Sequence, residues 1–131
     1  MTIMDTPPVL NPAAAHNNSL RDLLQGLYLD TCAAHESALA EADAMARVGG
    51  VDRAGEDEVD AGSRTAAREE QLTLVASLFE RRGQLEYALA RLDSGDYGRC
   101  EHCGKPIPAE RLEVYPTATA CVRCKQAFER R

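Results

Sequence analysis

Four of the five cysteines in this chain fall into two pairs, Cys100-x-x-Cys103 and Cys121-x-x-Cys124, with 17 residues between them. That spacing lies within the range of four-cysteine zinc sites. A Cys-x-x-Cys turn points two thiolates at one ion, and two such turns complete a tetrahedral shell with no position left open for a substrate. The pattern predicts one structural Zn²⁺ per chain, held by Cys100, Cys103, Cys121 and Cys124. Gly104, directly after the first pair, is predicted to take the positive φ that turns backbone amides toward the sulfurs. Ile107, Leu112 and Val114 are too few to fold this segment by burial, so metal binding is expected to supply much of its folding free energy.

Other chemistries for the same cysteines are weaker. A thioredoxin-like redox pair expects a single Cys-x-x-Cys beside a βαβ unit, and nothing here alternates strand with helix. A secreted disulfide scaffold expects a signal peptide and further cysteines, whereas the N-terminal half holds only Cys32. Cys32 reads as a helix-surface or core residue. His102 lies inside the first pair, but four thiolates already fill the shell, so it is excluded from the site.

The elements that must position this centre are few. With 131 residues, no Trp and 5% aromatic content, the chain supports one modest domain or an elongated structure with little globular core. A large enzyme pocket is disfavoured, and no nucleophile and base pair stands out. The net charge of −6, with about −2 more expected from a four-thiolate zinc site, repels phosphate backbones and disfavours duplex binding as the main activity. No apolar run approaches a membrane span, and a cytoplasmic location is expected.

Residues 1–18 read as a flexible arm, because three prolines fall there without a sustained period. Ser19 followed by Asp22 resembles a capping box and predicts a helix start. From there Leu20, Leu24, Leu27, Thr31, Ala34, Ala38, Glu41 and Met45 alternate steps of four and three, the seam of a coiled coil, closed by Gly49 and Gly50. A second helix, expected from about Thr65, repeats the alternation at Ala67, Gln71, Leu74, Leu78, Arg81, Leu85, Ala88 and Leu92. Run antiparallel, the seams pair Leu20 with Leu92, Leu24 with Ala88, Leu27 with Leu85, Ala34 with Leu78, Ala38 with Leu74 and Met45 with Ala67. The polar pairs Thr31/Arg81 and Glu41/Gln71 then fall at matched levels. Dimerisation through the same heptads is the competing arrangement.

The expected fold is therefore mainly α: an antiparallel coiled-coil hairpin over residues 19–94, followed over 95–131 by a small four-cysteine zinc finger and a short C-terminal helix. The turn of the hairpin falls at about 49–64, where Glu56, Asp57, Glu58 and Asp60 cluster. By charge alone such a cluster reads as a solvated loop. It lacks the alternating acids and distal Glu of a calcium loop.

The stretch GDYGRCEHCGKPIPAERLEVYPTATACVRC resembles the zinc-finger signature of the DksA/TraR family. It matches at the four cysteines and at Ile107, Arg111 and Pro116 between them. The resemblance implies a coiled coil braced by a zinc lobe, with RNA polymerase as partner and the coiled coil inserted through the secondary channel. It also implies that acidic tip residues approach the active centre. Asp57, Asp60 and Gly62 stand where the family has Asp-x-x-Asp-x-Ala, so Gly62 departs from the pattern. At the positions that meet the alarmone ppGpp in responsive members, this chain carries Gln84, Tyr115 and Lys125. With one cation left of three, a weak or absent ppGpp response is expected, with Lys125 as the remaining contact.

Three functions fit to different degrees. The first is a regulator acting through polymerase without sequence-specific DNA contact. The second is a zinc-braced coiled-coil adaptor for another protein, in which the tip acids are dispensable. The third is a zinc-ribbon nucleic-acid binder. The last is weakest, because Arg99, Lys105, Arg111, Arg123, Lys125, Arg130 and Arg131 are diluted by Asp96, Glu101, Glu110, Glu113 and Glu129, with no aromatic platform.

Overall fold

The computed structural model describes residues 12–49 and 58–130. Four helices follow one another: α1 (Pro12–Gly49), α2 (Glu58–Ser94), α3 (Ala109–Val114) and α4 (Val122–Glu129). Among the described residues there is no strand, only an isolated bridge between Arg99 and Pro106. The long helices form the antiparallel coiled-coil hairpin, and the finger and short terminal helix follow α2.

α1 begins seven residues before the expected Ser19, which lies inside the helix and caps nothing. Pro12 occupies the first turn, where the missing N–H has no intrahelical role, and Ala13, Ala14 and Ala15 favour propagation. The expected arm is thus shortened from its C-terminal side, and residues 1–11 lie outside the described ones. α2 likewise begins at Glu58 and not near Thr65. Glu58 and Asp60 in its first turn complement the positive end of the helix dipole, which offsets the cost of Gly62 and Ser63. Thr65, expected to start the helix, instead donates its hydroxyl back to the Ala61 carbonyl at 3.0 Å.

Two compact units divide the chain. In the unit formed by the start of α1 with residues 87–131, Leu24, Ala88 and Leu92 are buried and Arg21 pairs with Asp93. In the unit Leu27–Glu86, Leu85, Ala38 and Ala42 are buried together with Thr31, His35 and Gln71. There the Tyr28 hydroxyl donates to Glu86 at 3.0 Å, and the His35 ring lies 5.8 Å from that of Phe79. A seven-residue step forward in α1, from 28 to 35, meets a seven-residue step back in α2, from 86 to 79, which is antiparallel pairing.

One position per heptad is buried or half-buried as expected: 24, 31, 38 and 45 in α1, and 71, 78, 85 and 92 in α2. Its companion differs over much of the hairpin. Ala34, Glu41, Ala67, Leu74 and Arg81 are exposed, while His35 and Ala42 are buried and Val75 and Arg82 half-buried. The companion sits either three or four residues from the fixed position, on one flank or the other of the stripe. The choice is made by which flank packs on the partner helix rather than by side-chain polarity. The polar pairs change accordingly. Thr31 donates to Leu27 O within α1 at 2.7 Å, and Gln71 Nε2 donates to Ala38 O at 3.0 Å instead of meeting Glu41.

Candidate metal centre

α2 stops because Gly95 takes φ +86° and closes a Schellman arrangement, with Gly95 N–H on Leu92 O at 3.3 Å and Asp96 N–H on Arg91 O at 2.9 Å. The chain then turns into the first knuckle. Gly98 also has φ +86°, and its amide neighbourhood is tied down by Ile107 N–H donating to Gly98 O at 2.7 Å. Gly104 takes φ +72° as expected, and its N–H donates to Cys100 O at 3.0 Å. Cys100 N–H donates to Lys105 O at 2.9 Å, which closes the turn.

The second pair is delivered by α4. Cys121 is the N-cap of that helix, and its sulfur accepts from Cys124 N–H at 3.5 Å. Glu101 N–H donates to Thr119 O at 2.9 Å and holds the two knuckles side by side. The residues between the pairs act as packing for this arrangement. Ile107 is buried, Arg111 Nε donates to Ala120 O at 3.3 Å, and Pro116 O accepts from the Tyr97 hydroxyl at 2.7 Å.

The four sulfurs lie within 4.8 Å of one another, and those of Cys103 and Cys121 are 3.8 Å apart. Four thiolates at about 2.3 Å from a central zinc stand about 3.8 Å apart along each tetrahedral edge. The donor set and its size therefore fit one Zn²⁺, which when bound supplies a cross-link between the knuckles. His102 takes no place in the group; its ring lies 4.5 Å from that of Phe128.

The electrostatics prepare the site for a cation. Burial opposes ionisation of Cys100, but N–H groups of Cys121, Cys103 and His102, with the Cys124 side chain, hold its thiol down at about 5. Cys121 is also lowered, first by the Cys124 N–H. Cys124 is pushed up to about 12, first by Cys121 and then by Cys100. The backbone N–H groups thus favour thiolate charge within the group, and a divalent cation displaces the protons that remain on the sulfurs when it binds.

Three residues that support the centre escaped sequence reasoning. Arg91, in the last turn of α2, donates to Asp96 O at 2.8 Å and to Arg99 O, and pairs with Glu101 at 3.2 Å. Tyr87 donates its hydroxyl to the same Glu101 carboxylate. The Phe128 ring packs at a tilt against that of His102. The available signal was the i, i+4 placement of Tyr87 and Arg91 at the end of a helix leading directly into Cys-Glu-His-Cys.

Of the other expected site residues, Asp60 and Gly62 lie in the first turns of α2 rather than in a loop, and both are exposed. Asp57 lies outside the described residues. Lys125 is an exposed residue of α4. No described helix is long and apolar enough to cross a membrane.

An antiparallel helical hairpin carrying a four-cysteine zinc finger defines the class of this protein. The prokaryotic dksA/traR C4-type zinc finger model matches residues 95–130. The solved structure of transcription factor DksA2 from Pseudomonas aeruginosa is similar over 95% of this chain and 92% of that one, with a TM-score of 0.74 and 32% identity. The chain belongs to the DksA/TraR family. RNA polymerase-binding transcription factor DksA of Caulobacter vibrioides (strain NA1000 / CB15N) is 46% identical over 48 residues, covering 37% of this chain and 34% of the relative. The protein of that name from Escherichia coli (strain K12) is 39% identical over 68 residues, 49% of this chain and 45% of the relative. These matches therefore span less than half the length of the curated relatives.

Proposed function

We propose that this protein is a transcription factor that binds RNA polymerase and modulates initiation by presenting the acidic end of its hairpin through the secondary channel. The observation that supports this most is the likeness to a transcription factor over nearly the whole of both chains, at 32% identity. The acids of the family tip pattern fall at Asp57 and at Asp60, the latter in the first turn of α2. Carboxylates delivered near a catalytic Mg²⁺ perturb a site dominated by the charge of the ion, so they act on the reaction more than on affinity. The zinc finger holds the other end of the hairpin. Contact is with polymerase and not with a DNA sequence, and the chain itself catalyses nothing.

The test is the double variant Asp57→Asn with Asp60→Asn, which deletes charge while keeping size. Helicity, capture of core polymerase and initiation from a sensitive promoter are measured beside the parent. The expected variant folds, binds polymerase and no longer regulates. A variant that folds, binds and regulates like the parent removes the tip from the mechanism. A parent that fails to capture polymerase removes the partner itself.

A further inference from the structure

The guanidinium of Arg91 belongs to α2 by sequence and to the metal centre by its contacts. Its side chain is 11% exposed, and it lies 5.8 Å over the Tyr87 ring, one turn earlier in the same helix. From there it reaches the carbonyls of Asp96 and Arg99, in the segment immediately before Cys100, and the carboxylate of Glu101, immediately after it. The Glu101 carboxylate also accepts from the Tyr87 hydroxyl. One cation thus clamps the chain on both sides of a metal ligand, and the clamp is anchored on the final turns of a long helix.

We propose that Arg91 is a positioning residue that couples occupancy of the four-cysteine centre to the order of the last turns of α2. The physical basis is reciprocal. Fixing the carbonyls at 96 and 99 and the carboxylate at 101 presets the Cys100 turn, so less freedom remains to be lost when an ion binds. An ion that fixes Cys100 in turn holds the acceptors of Arg91 in place, and through Arg91 and Tyr87 it holds the helix from which both side chains project. Linkage requires that each event favour the other by the same factor. Partners that orient metal ligands from outside the coordination shell typically contribute about 10- to 100-fold in metal affinity. Lysine cannot replace the arginine fully, because its single ammonium lacks the planar fork that serves carbonyl and carboxylate together. The coupling goes beyond the polymerase reading and stands whether or not that reading holds.

Two measurements on the full-length zinc-loaded protein test the coupling. The first is zinc affinity, by competition with a chromophoric chelator, for the parent, Arg91→Met and Arg91→Lys. The second is hydrogen exchange at the amides of residues 87–94 with zinc bound and after chelation. Arg91→Met is expected to bind zinc about 10- to 100-fold more weakly, with Arg91→Lys in between. In the parent, chelation lowers protection over 87–94; in Arg91→Met that dependence on zinc largely disappears. Should Arg91→Met fail to fold, Tyr87→Phe removes only the hydroxyl on Glu101 and is expected to move both quantities in the same direction by less. Parent-like zinc affinity in the variant overturns the proposal. So does weaker affinity accompanied by an undiminished effect of zinc on residues 87–94.

Discussion

Gln71 and Ala38 meet through a buried hydrogen bond, with the Gln71 side-chain amide donating to the Ala38 carbonyl at 3.0 Å. His35, one turn before Ala38 and also buried, has no such outlet: its Nδ1 is buried without a hydrogen-bond partner among the described residues. A buried polar atom left unpaired costs about 1–3 kcal/mol, whereas a satisfied hydrogen bond contributes about 0.5–1.5 kcal/mol net. His35→Leu is therefore expected to raise stability by about 1 kcal/mol or more, and Gln71→Leu to lower it by about 0.5–1.5 kcal/mol. Urea unfolding followed by circular dichroism gives both values. A loss of stability in His35→Leu would show that the imidazole is satisfied in solution.

Gly62 sits inside α2, where, its own helix backbone and chain neighbours aside, no atom of the described residues lies within 4 Å of the position its Cβ would take and φ is not in the left-handed region. Alanine there meets no neighbour and spares the entropy that glycine loses on entering a helix. Gly62→Ala is expected to stabilise the protein by about 0.5–1 kcal/mol. Thermal unfolding provides the measurement, and no rise in midpoint would mean that this first stretch of α2 contributes little to the cooperative transition.

The ligands of the finger and the glycine after the first pair were legible in the sequence, because two Cys-x-x-Cys turns admit few geometries, whereas helix α3 between the pairs and the support from Tyr87 and Arg91 were not. Gly104 has the positive φ that its place demanded, and Ile107, Arg111 and Pro116 each pack or bond between the knuckles. The hairpin was legible in kind and less so in detail. Heptad periodicity locates the position that faces the partner helix in every turn pair, but two flanking positions compete for the second place. Polarity favoured Ala34 and Leu74, and packing took His35 and Val75. Helix ends were hardest. The cost of Gly62 and Ser63 was visible, whereas the compensating placement of Glu58 and Asp60 in a first turn becomes evident only once the helix is seen to begin there.

Metal retention is expected to fall with acidification. The Cys100 thiol is held down at about 5 in the folded chain, against an unperturbed value of 9.0. A lowered folded value contributes stability that is complete above the unfolded value and is lost as pH falls through the folded one. Protons also compete directly with the ion for thiolate. Zinc should therefore stay near one equivalent at neutral pH and be released progressively between neutral and acid pH, with helicity lost in the finger. Metal analysis after dialysis across that range checks it. Cys32→Ser should leave the stoichiometry and the profile unchanged, since Cys32 stands outside the four-sulfur group.

A weak response to ppGpp is expected, and its cause can be tested by restoring charge. The resemblance to the DksA/TraR family implies that responsive members bring basic residues to the alarmone phosphates at three positions, which correspond here to Gln84, Tyr115 and Lys125. Hydrogen bonds to charged groups are typically worth about 1.5–3 kcal/mol each, so two lost cations remove a large part of the attraction for a polyanion. All three side chains are exposed, and substitution there disturbs no core. Tyr115 has one neighbour to weigh: the Arg111 guanidinium lies 5.6 Å over its ring. Arginine at 115 would exchange that cation–π contact for like-charge repulsion, a small cost at an exposed site and one that a bound phosphate reverses. In transcription assays with polymerase, ppGpp should add little to the effect of the parent and nothing to that of Lys125→Ala. Gln84→Lys with Tyr115→Arg should create a clear enhancement. Strong enhancement of the parent, or none in the doubly restored variant, would mean that these three positions do not govern the response in this chain.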